Sequence, residues 1–327
     1  MAIPERRAAG PVPLTDAGQR RWTELLSSLA GLLPPGTGCV LVDGPAQQAG
    51  LFASRLAGEL AGREYPPRVT AGSGGSGDVT IFLRTAPGAT DPGGRDREQR
   101  ADVVIDLHDT GWPVIRRATA RLAARESWYL TETRAFFGCR AATWDAKFGD
   151  DLPAYRAAVA DAGIKPGGTA LDIGCGTGRA LAPLRAAVGP AGRVVALDVT
   201  PEMLHAARPA AARAGAVLVL ADARRLPHPD AAVDAIFAAG LVNHLPDTTA
   251  GLRELARVTR PGGRLVLFHP TGRAALAARH GHTATHDEPL AEGPLRRSAA
   301  AGGWRLSVYD DAPHRFFAVA ERLPPEG

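Results

Sequence analysis

In Leu171-Asp172-Ile173-Gly174-Cys175-Gly176-Thr177-Gly178 a strand gives way to a turn. Upstream, Thr169 to Ile173 is a short apolar run of the kind a buried strand carries. Downstream, the stretch from Arg179 through Ala187 holds apolar residues at helical spacing. Three glycines at alternate positions permit torsions that a Cβ would block. They also let a ligand lie against the main chain beside a helix N-terminus. The stretch predicts a strand, a turn that holds something close, and the start of a helix.

Two nucleotide-type ligands compete for such a turn. A nicotinamide dinucleotide site uses G-x-G-x-x-G/A, with a small third residue where helix packs on strand. Counted from Gly174 that position is Arg179, which does not fit. An acidic residue followed by G-x-G-x-G instead resembles the first motif of class I S-adenosylmethionine-dependent methyltransferases. The following residues match that order. Arg193 to Asp198 reads as the next strand and ends in a carboxylate 20 positions after Gly178. Thr200-Pro201-Glu202 opens a helix, with Thr as N-cap and Pro in the first turn. Ala216 to Leu220 is a third strand, and the Ala221-Asp222-Ala223 after it resembles the family's adenine-contacting segment. Ala232 to Ala239 is a fourth. Arg257 to Phe268 resembles the passage from helix to fifth strand, with Pro and Gly ending the helix.

The resemblance implies S-adenosylmethionine as cofactor and gives each matching residue a role. Gly174, Gly176 and Gly178 take the methionine and ribose end. Asp172 orients the turn and reaches the methionine ammonium through water. Asp198 and Val199 take the ribose, Asp222 and Ala223 the adenine, and Ala239 lines the same cleft. The acceptor belongs at the carboxyl ends of the strands. His244, in the loop after the fourth strand, is the candidate general base because its ordinary pKa lies near neutrality; the other reading is that it closes the loop over the cofactor. His269 ends the fifth strand and is a candidate to line the acceptor side. Residues 134–148 resemble the lid of the ubiquinone/menaquinone-methyltransferase-like branch. That makes Tyr129, Trp144 and Asp145 lid candidates, against a plain amphipathic packing role for the aromatics.

The N-terminal part carries a second strand-turn-helix unit, with Gly38 to Asp43 as strand and Gly44 to Phe52 as turn. It resembles the start of a uridine-kinase-like P-loop domain, but the pattern G-x-x-x-x-G-K-[ST] is broken. In register stand Gly44, Ala49, Gly50 and Leu51, so the phosphate-binding Lys and the metal-holding hydroxyl are missing. ATP hydrolysis is therefore not expected. Asp106 and His108, at the end of a later strand, read as surface residues or site remnants. Ala86 to Arg100 reads as a flexible loop and Arg116 to Asp150 as helical.

The expected fold is α/β throughout. A doubly wound, Rossmann-like methyltransferase sheet closed by an antiparallel hairpin follows a smaller P-loop-kinase-like α/β domain. The expected divisions are a tail at 1–14, the kinase-like domain at 15–125, a helical lid or linker at 126–165 and the methyltransferase domain at 166–323. Lys and Arg number 38 against 34 Asp and Glu, a formal charge of +4. A surface so balanced argues against an extended nucleic-acid stripe, and so against an RNA or protein methyltransferase. Cys39, Cys139 and Cys175 are scattered, without metal-ligand spacing, and fit a reducing cytoplasm. His280, His282 and His286 lack a completing ligand, so no metal is expected. No apolar run approaches membrane-spanning length. The functional expectation is a cytoplasmic methyltransferase for a small-molecule acceptor, whose N-terminal domain offers a surface for a partner protein or self-association. The alternative is a non-enzymatic S-adenosylmethionine-binding regulator or scaffold.

Overall fold

The computed structural model describes residues 14–73, 75–85, 93–123, 127–279 and 283–324. The expected tail, apart from Leu14, lies outside these residues, as do His280 and His282. The chain divides into two units, Met1–Trp128 and Tyr129–Gly327.

In the first unit, Thr15 caps α1 (Asp16–Leu32) by accepting the Gly18 N–H at 3.1 Å. The helix buries Trp22, Leu25, Leu26, Leu29 and Leu32, one apolar face at helical spacing. Then come β1 (Cys39–Asp43), α2 (Ala46–Leu60), β2 (Arg68–Ala71), β3 (Val79–Arg84), α3 (Gly94–Arg100), β4 (Val103–Asp106), β5 (Val114–Ala118) and α4 (Ala120–Ala123). The sheet order is β2-β1-β3-β4-β5, with β5 antiparallel to β4 and the other pairs parallel.

Three features depart from the sequence expectation. Gly44 and Pro45 alone connect β1 to α2, so Ala49, Gly50 and Leu51 lie on the helix and not in a turn. Gly44 is explained by packing: its φ is +145°, and a Cβ there would stand 2.9 Å from Leu83 Cβ. Within the expected loop, residues 94–100 are helical. Its Arg97 Nε donates to Asp43 at 2.8 Å and its Glu98 pairs with Arg84, so charged contacts hold a segment with no apolar period. Finally, a strand at residues 114–118 takes in residues 116–118, where a helix was expected. Val114 and Ile115 are β-branched, and β4 offers them a free edge.

In the second unit α5 (Ser127–Gly138), α6 (Trp144–Phe148) and α7 (Leu152–Asp161) precede the sheet. The sheet elements are β6 (Thr169–Ile173), α8 (Leu181–Val188), β7 (Arg193–Asp198), α9 (Pro201–Ala214), β8 (Val217–Leu220), β9 (Val233–Ala239), α10 (Thr248–Val258) and β10 (Thr259–His269). After them come α11 (Arg273–Arg279), α12 (Glu292–Ala301), β11 (Trp304–Ala312) and β12 (Arg315–Arg322). Strand order is β11-β12-β10-β9-β6-β7-β8, parallel except for the β12 pairings. One core layer packs Leu252, Leu255, Leu295 and Trp304 on the sheet, and the other packs Ala158, Leu181, Leu184 and Ala211. Pro261, Gly262 and Gly263 do not separate α10 from β10 as expected. They sit in the strand's first half, where its register against β9 breaks between Thr259 and Arg264. The first strand of the closing hairpin runs through Ala312, because Asp310 and Asp311 pair with Phe317 and Phe316.

Candidate functional site

The strand order reverses at β6, which lies between β7 and β9. In an open α/β sheet the crevice at the carboxyl ends beside such a reversal is where ligands bind. The glycine turn stands there. Gly174, Gly176 and Gly178 have φ of +71°, +52° and +86°. The N–H groups of Gly174 and Cys175 donate to Leu197 O at 2.8 and 3.0 Å, which ties the turn to β7. A Cβ on Gly178 would stand 2.9 Å from Leu181 and 3.2 Å from Ala210, but one on Gly176 would meet nothing within 4 Å. Gly178 therefore serves packing, while Gly176 faces open space.

Asp172, near the end of β6, is 2% exposed, and its Oδ2 has no hydrogen-bond partner among the described residues. Burial, with Asp198 adding to it, pushes this carboxyl up to about 8. A buried acceptor left without a donor costs roughly 1–3 kcal/mol. Asp198, at the end of β7, accepts the Gly176 N–H at 2.9 Å on one oxygen and the Thr200 N–H at 2.8 Å on the other. Burial raises its pKa, and those backbone bonds oppose the rise. Each oxygen keeps a second lone pair for another donor. Thr200 occupies the N-cap position of α9, but its side chain makes no capping bond.

After β8, Asp222 is taken by Arg224. The guanidinium Nε lies 3.1 and 3.0 Å from its two oxygens, Nη2 lies 2.7 Å from Oδ2, and the Arg224 N–H donates at 2.9 Å. The same guanidinium stands 4.3 Å over the ring of Tyr129 on α5. Ala223 follows in the same loop and is half-buried. Tyr129 is itself buried; burial, with Asp222 next, pushes its phenol up to about 12. Ala239 ends β9, and the Gly240 N–H beyond it donates to Phe268 O at 2.9 Å. His244 sits in a 3-10 turn at Val242–His244.

The helices before β6 touch each of these loops. Arg134 Nε donates to Val199 O at 2.8 Å after β7. The Phe137 ring lies 5.1 Å from that of His244 and 5.7 Å from that of Trp144. Asp145 Oδ1 accepts from Thr177 Oγ1 at 2.6 Å and from Arg179 Nη2 at 3.1 Å. Arg179, with 7% of its side chain exposed, also pairs with Asp151. Asp172, the glycine turn, Asp198 and Val199 thus lie together at the strand ends; Asp145 touches the turn, Tyr129 meets Arg224 of the Asp222 loop, and Trp144 and His244 both stand against Phe137. His269 stands apart, at the end of β10 and separated from β6 by β9; its Nδ1 lies 2.8 Å from Thr271 O. Thr177, Arg179 and Arg224 were not singled out as site residues from sequence. Arg179 did leave a signal, since a charged side chain stands where helix-on-strand packing ordinarily demands a small one. Among the described residues no three His, Cys, Asp or Glu side chains are grouped to hold a metal, and no helix is long and apolar enough to cross a membrane.

Residues 171–267 match the family model described as a methyltransferase domain. That stretch is similar to methyltransferase domains. Over 123 residues, 37% of this chain and 36% of the other, it is 40% identical to an uncharacterized 37.1 kDa protein in transposon TN4556 of Streptomyces fradiae. Over 112 residues it is 35% identical to the ubiquinone/menaquinone biosynthesis C-methyltransferase UbiE of Burkholderia mallei, covering 34% of this chain and 46% of UbiE. The chain therefore spans about a third to a half of the length of these relatives. A SAM dependent methyltransferase from Aquifex aeolicus aligns over 57% of this chain and 98% of its own at 24% identity, with a TM-score of 0.48. The matched methyltransferase segment contains the glycine turn, Asp198, Asp222 and His244. Tyr129, Trp144, Asp145 and the closing hairpin fall outside it.

Proposed function

We propose that the protein transfers a methyl group from S-adenosylmethionine to a small-molecule acceptor. The observation that carries this reading is the buried Asp172 at the end of β6, whose Oδ2 has no hydrogen-bond partner among the described residues, taken with the open space at Gly176 in the turn that follows. An acceptor oxygen left bare inside a protein fits a cationic ligand, and the methionine ammonium is one. Asp198 keeps lone pairs for the two ribose hydroxyls, next to the Val199 backbone. Asp222 and the Ala223 backbone form the adenine end, where the base shares or replaces Arg224. Ala239 borders the same cleft.

When bound, the cofactor supplies an electrophilic methyl on a sulfonium, and transfer is an in-line displacement. The chain's task is then to hold the acceptor in near-attack geometry and keep water out. Tyr129, Trp144 and Asp145 serve as lid residues, and His244, packed against Phe137, is our choice to take an acceptor proton. His269 borders the acceptor further along the sheet. Tyr129 is not a base at neutral pH, since its phenol is held near 12.

We read the first unit as a degenerate P-loop-kinase-like scaffold, usable by a partner protein or a second copy. The two-residue link between β1 and α2 supports that reading, because it leaves no loop to wrap a phosphate. The free thiols of Cys39, Cys139 and Cys175 support a cytoplasmic protein. Calorimetric titration with S-adenosylhomocysteine, alongside ATP with Mg²⁺, tests the proposal. Binding of the first alone is expected, and binding of ATP would refute the scaffold reading. An acceptor screen begins with ring-carbon acceptors of the kind named for the Burkholderia relative. Cofactor binding without transfer to any acceptor would favour a regulator instead.

A further inference from the structure

Carboxyl groups stand on both sides of the glycine turn, in the segment that covers it and in its floor. Asp145 and Asp151 come from the covering segment, Asp172 and Asp198 from the strand ends. Tyr155, on α7, feels Asp151, Asp172 and Asp145 together, and Asp172 feels Asp198, so these carboxyl groups form one neighbourhood. Arg179 bridges its upper half by pairing with both Asp145 and Asp151. Further contacts of the segment include Phe137 on His244, Tyr129 against Arg224, and Arg134 to a backbone carbonyl. Asp145 combines an ion pair with Arg179 and a side chain that is 66% exposed. Arg179 and the Thr177 hydroxyl hold it through polar contacts.

We propose that Asp145 makes the lid read the charge of the bound cofactor, closing more firmly over the cationic donor than over the neutral thioether product. The inference rests on the cofactor assignment above. A cation seated against the glycine turn adds to Arg179 in drawing the acidic lid down. After transfer the sulfonium charge is gone, only Arg179 and the product's ammonium oppose the gathered carboxyl groups, and the lid loosens for release. Asp145 is thus a specificity-determining position for donor over product. The contacts of Phe137, Tyr129 and Arg134 position the lid in both states.

The test uses the full chain and two probes of nearly equal shape. Sinefungin carries an amine, hence a positive charge, where S-adenosylhomocysteine has a neutral sulfur. The native protein is expected to prefer sinefungin. Asp145→Asn should reduce that preference about fivefold, the size of a partly screened charge coupling, with little change in affinity for S-adenosylhomocysteine. Asp145→Glu should restore it, and rising salt should erode it in the native protein alone. An Asn variant with an unchanged ratio, or one that loses affinity for both probes equally, overturns the proposal. If neither probe binds the native protein, the cofactor assignment itself falls and the inference with it.

Discussion

Replacing Asp172 by Asn keeps the shape of the buried side chain and removes its titration. In the ligand-free protein, burial and the neighbouring Asp198 hold the carboxyl up to about 8. At pH 7 it therefore carries about 0.9 proton. The groups that face it also resist ionisation: Asp198, Cys175 and Tyr155 are all raised by burial first, and Asp172 adds to the rise at Cys175 and Tyr155. Seating an ammonium against Oδ2 favours the carboxylate, so binding should expel that proton. Titration of S-adenosylmethionine at pH 7 in buffers of different ionisation enthalpy counts the protons released. The native protein should release about 0.9 more than Asp172→Asn. Below pH 8 its affinity should rise about tenfold per pH unit and then level off, while the variant binds more weakly and with a flatter profile. Equal proton counts in the two proteins would refute the reasoning.

The same group fixes the sign of a stability effect. The folded pKa lies above the unfolded one, so the contribution of the neutral form is complete below about pH 4. It is lost as pH rises toward 8, at about 1.4 kcal/mol per unit. Ligand-free native protein should therefore lose more melting temperature between pH 5 and pH 8 than Asp172→Asn does.

Asp198→Ala should cost at least about a hundredfold in cofactor affinity; it also strands the Gly176 and Thr200 amides, so melting should fall by about 1–3 kcal/mol of stability. Gly178→Ala meets both a φ of +86° and a contact of 2.9 Å with Leu181, and should destabilise by about 1–3 kcal/mol. Gly176→Ala, with space around it, should melt closer to native and show its damage in cofactor titrations instead. His244→Ala should lower turnover about a hundredfold or more with product-analogue affinity intact if the ring is a base. Loss of both together would mean that its contact with Phe137 is what matters.

Much of the second unit was legible because its physics is local. Asp172 and the alternating glycines need only their own stretch to declare a tight turn, and Asp198 and Asp222 follow from strand ends that apolar runs already mark. The misread parts depend on contacts remote in sequence. Residues 94–100 are helical although the segment has no apolar stripe, with Arg97 reaching Asp43 and Glu98 reaching Arg84. Arg116 to Ala118 continue the strand begun by Val114 and Ile115 because β4 has an open edge, which no window around them reveals. Arg224 was invisible as a partner of Asp222 because a charged residue two positions along usually points to solvent. Gly44 looked like a phosphate-loop glycine but answers to Leu83, 39 residues away.

Arg179 joins these two kinds of legibility. From sequence it excluded a dinucleotide turn, because a large charged side chain cannot sit where a helix must close on its strand. In the structure that side chain is buried and paired with acids of the covering helices. One residue thus both rejects the wrong ligand geometry and ties the cover to the turn. The cover also meets the loop after β7 through Arg134, the loop after β8 through Tyr129 and the loop after β9 through Phe137. A ligand spread along the strand ends would touch all of these loops, so its arrival or departure must be felt by the same helices. On the function proposed above, the acceptor preference belongs to residues outside the matched segment. The 171–267 stretch would then build the cofactor floor, and Tyr129, Trp144 and Asp145 would decide what can lie between that floor and its cover.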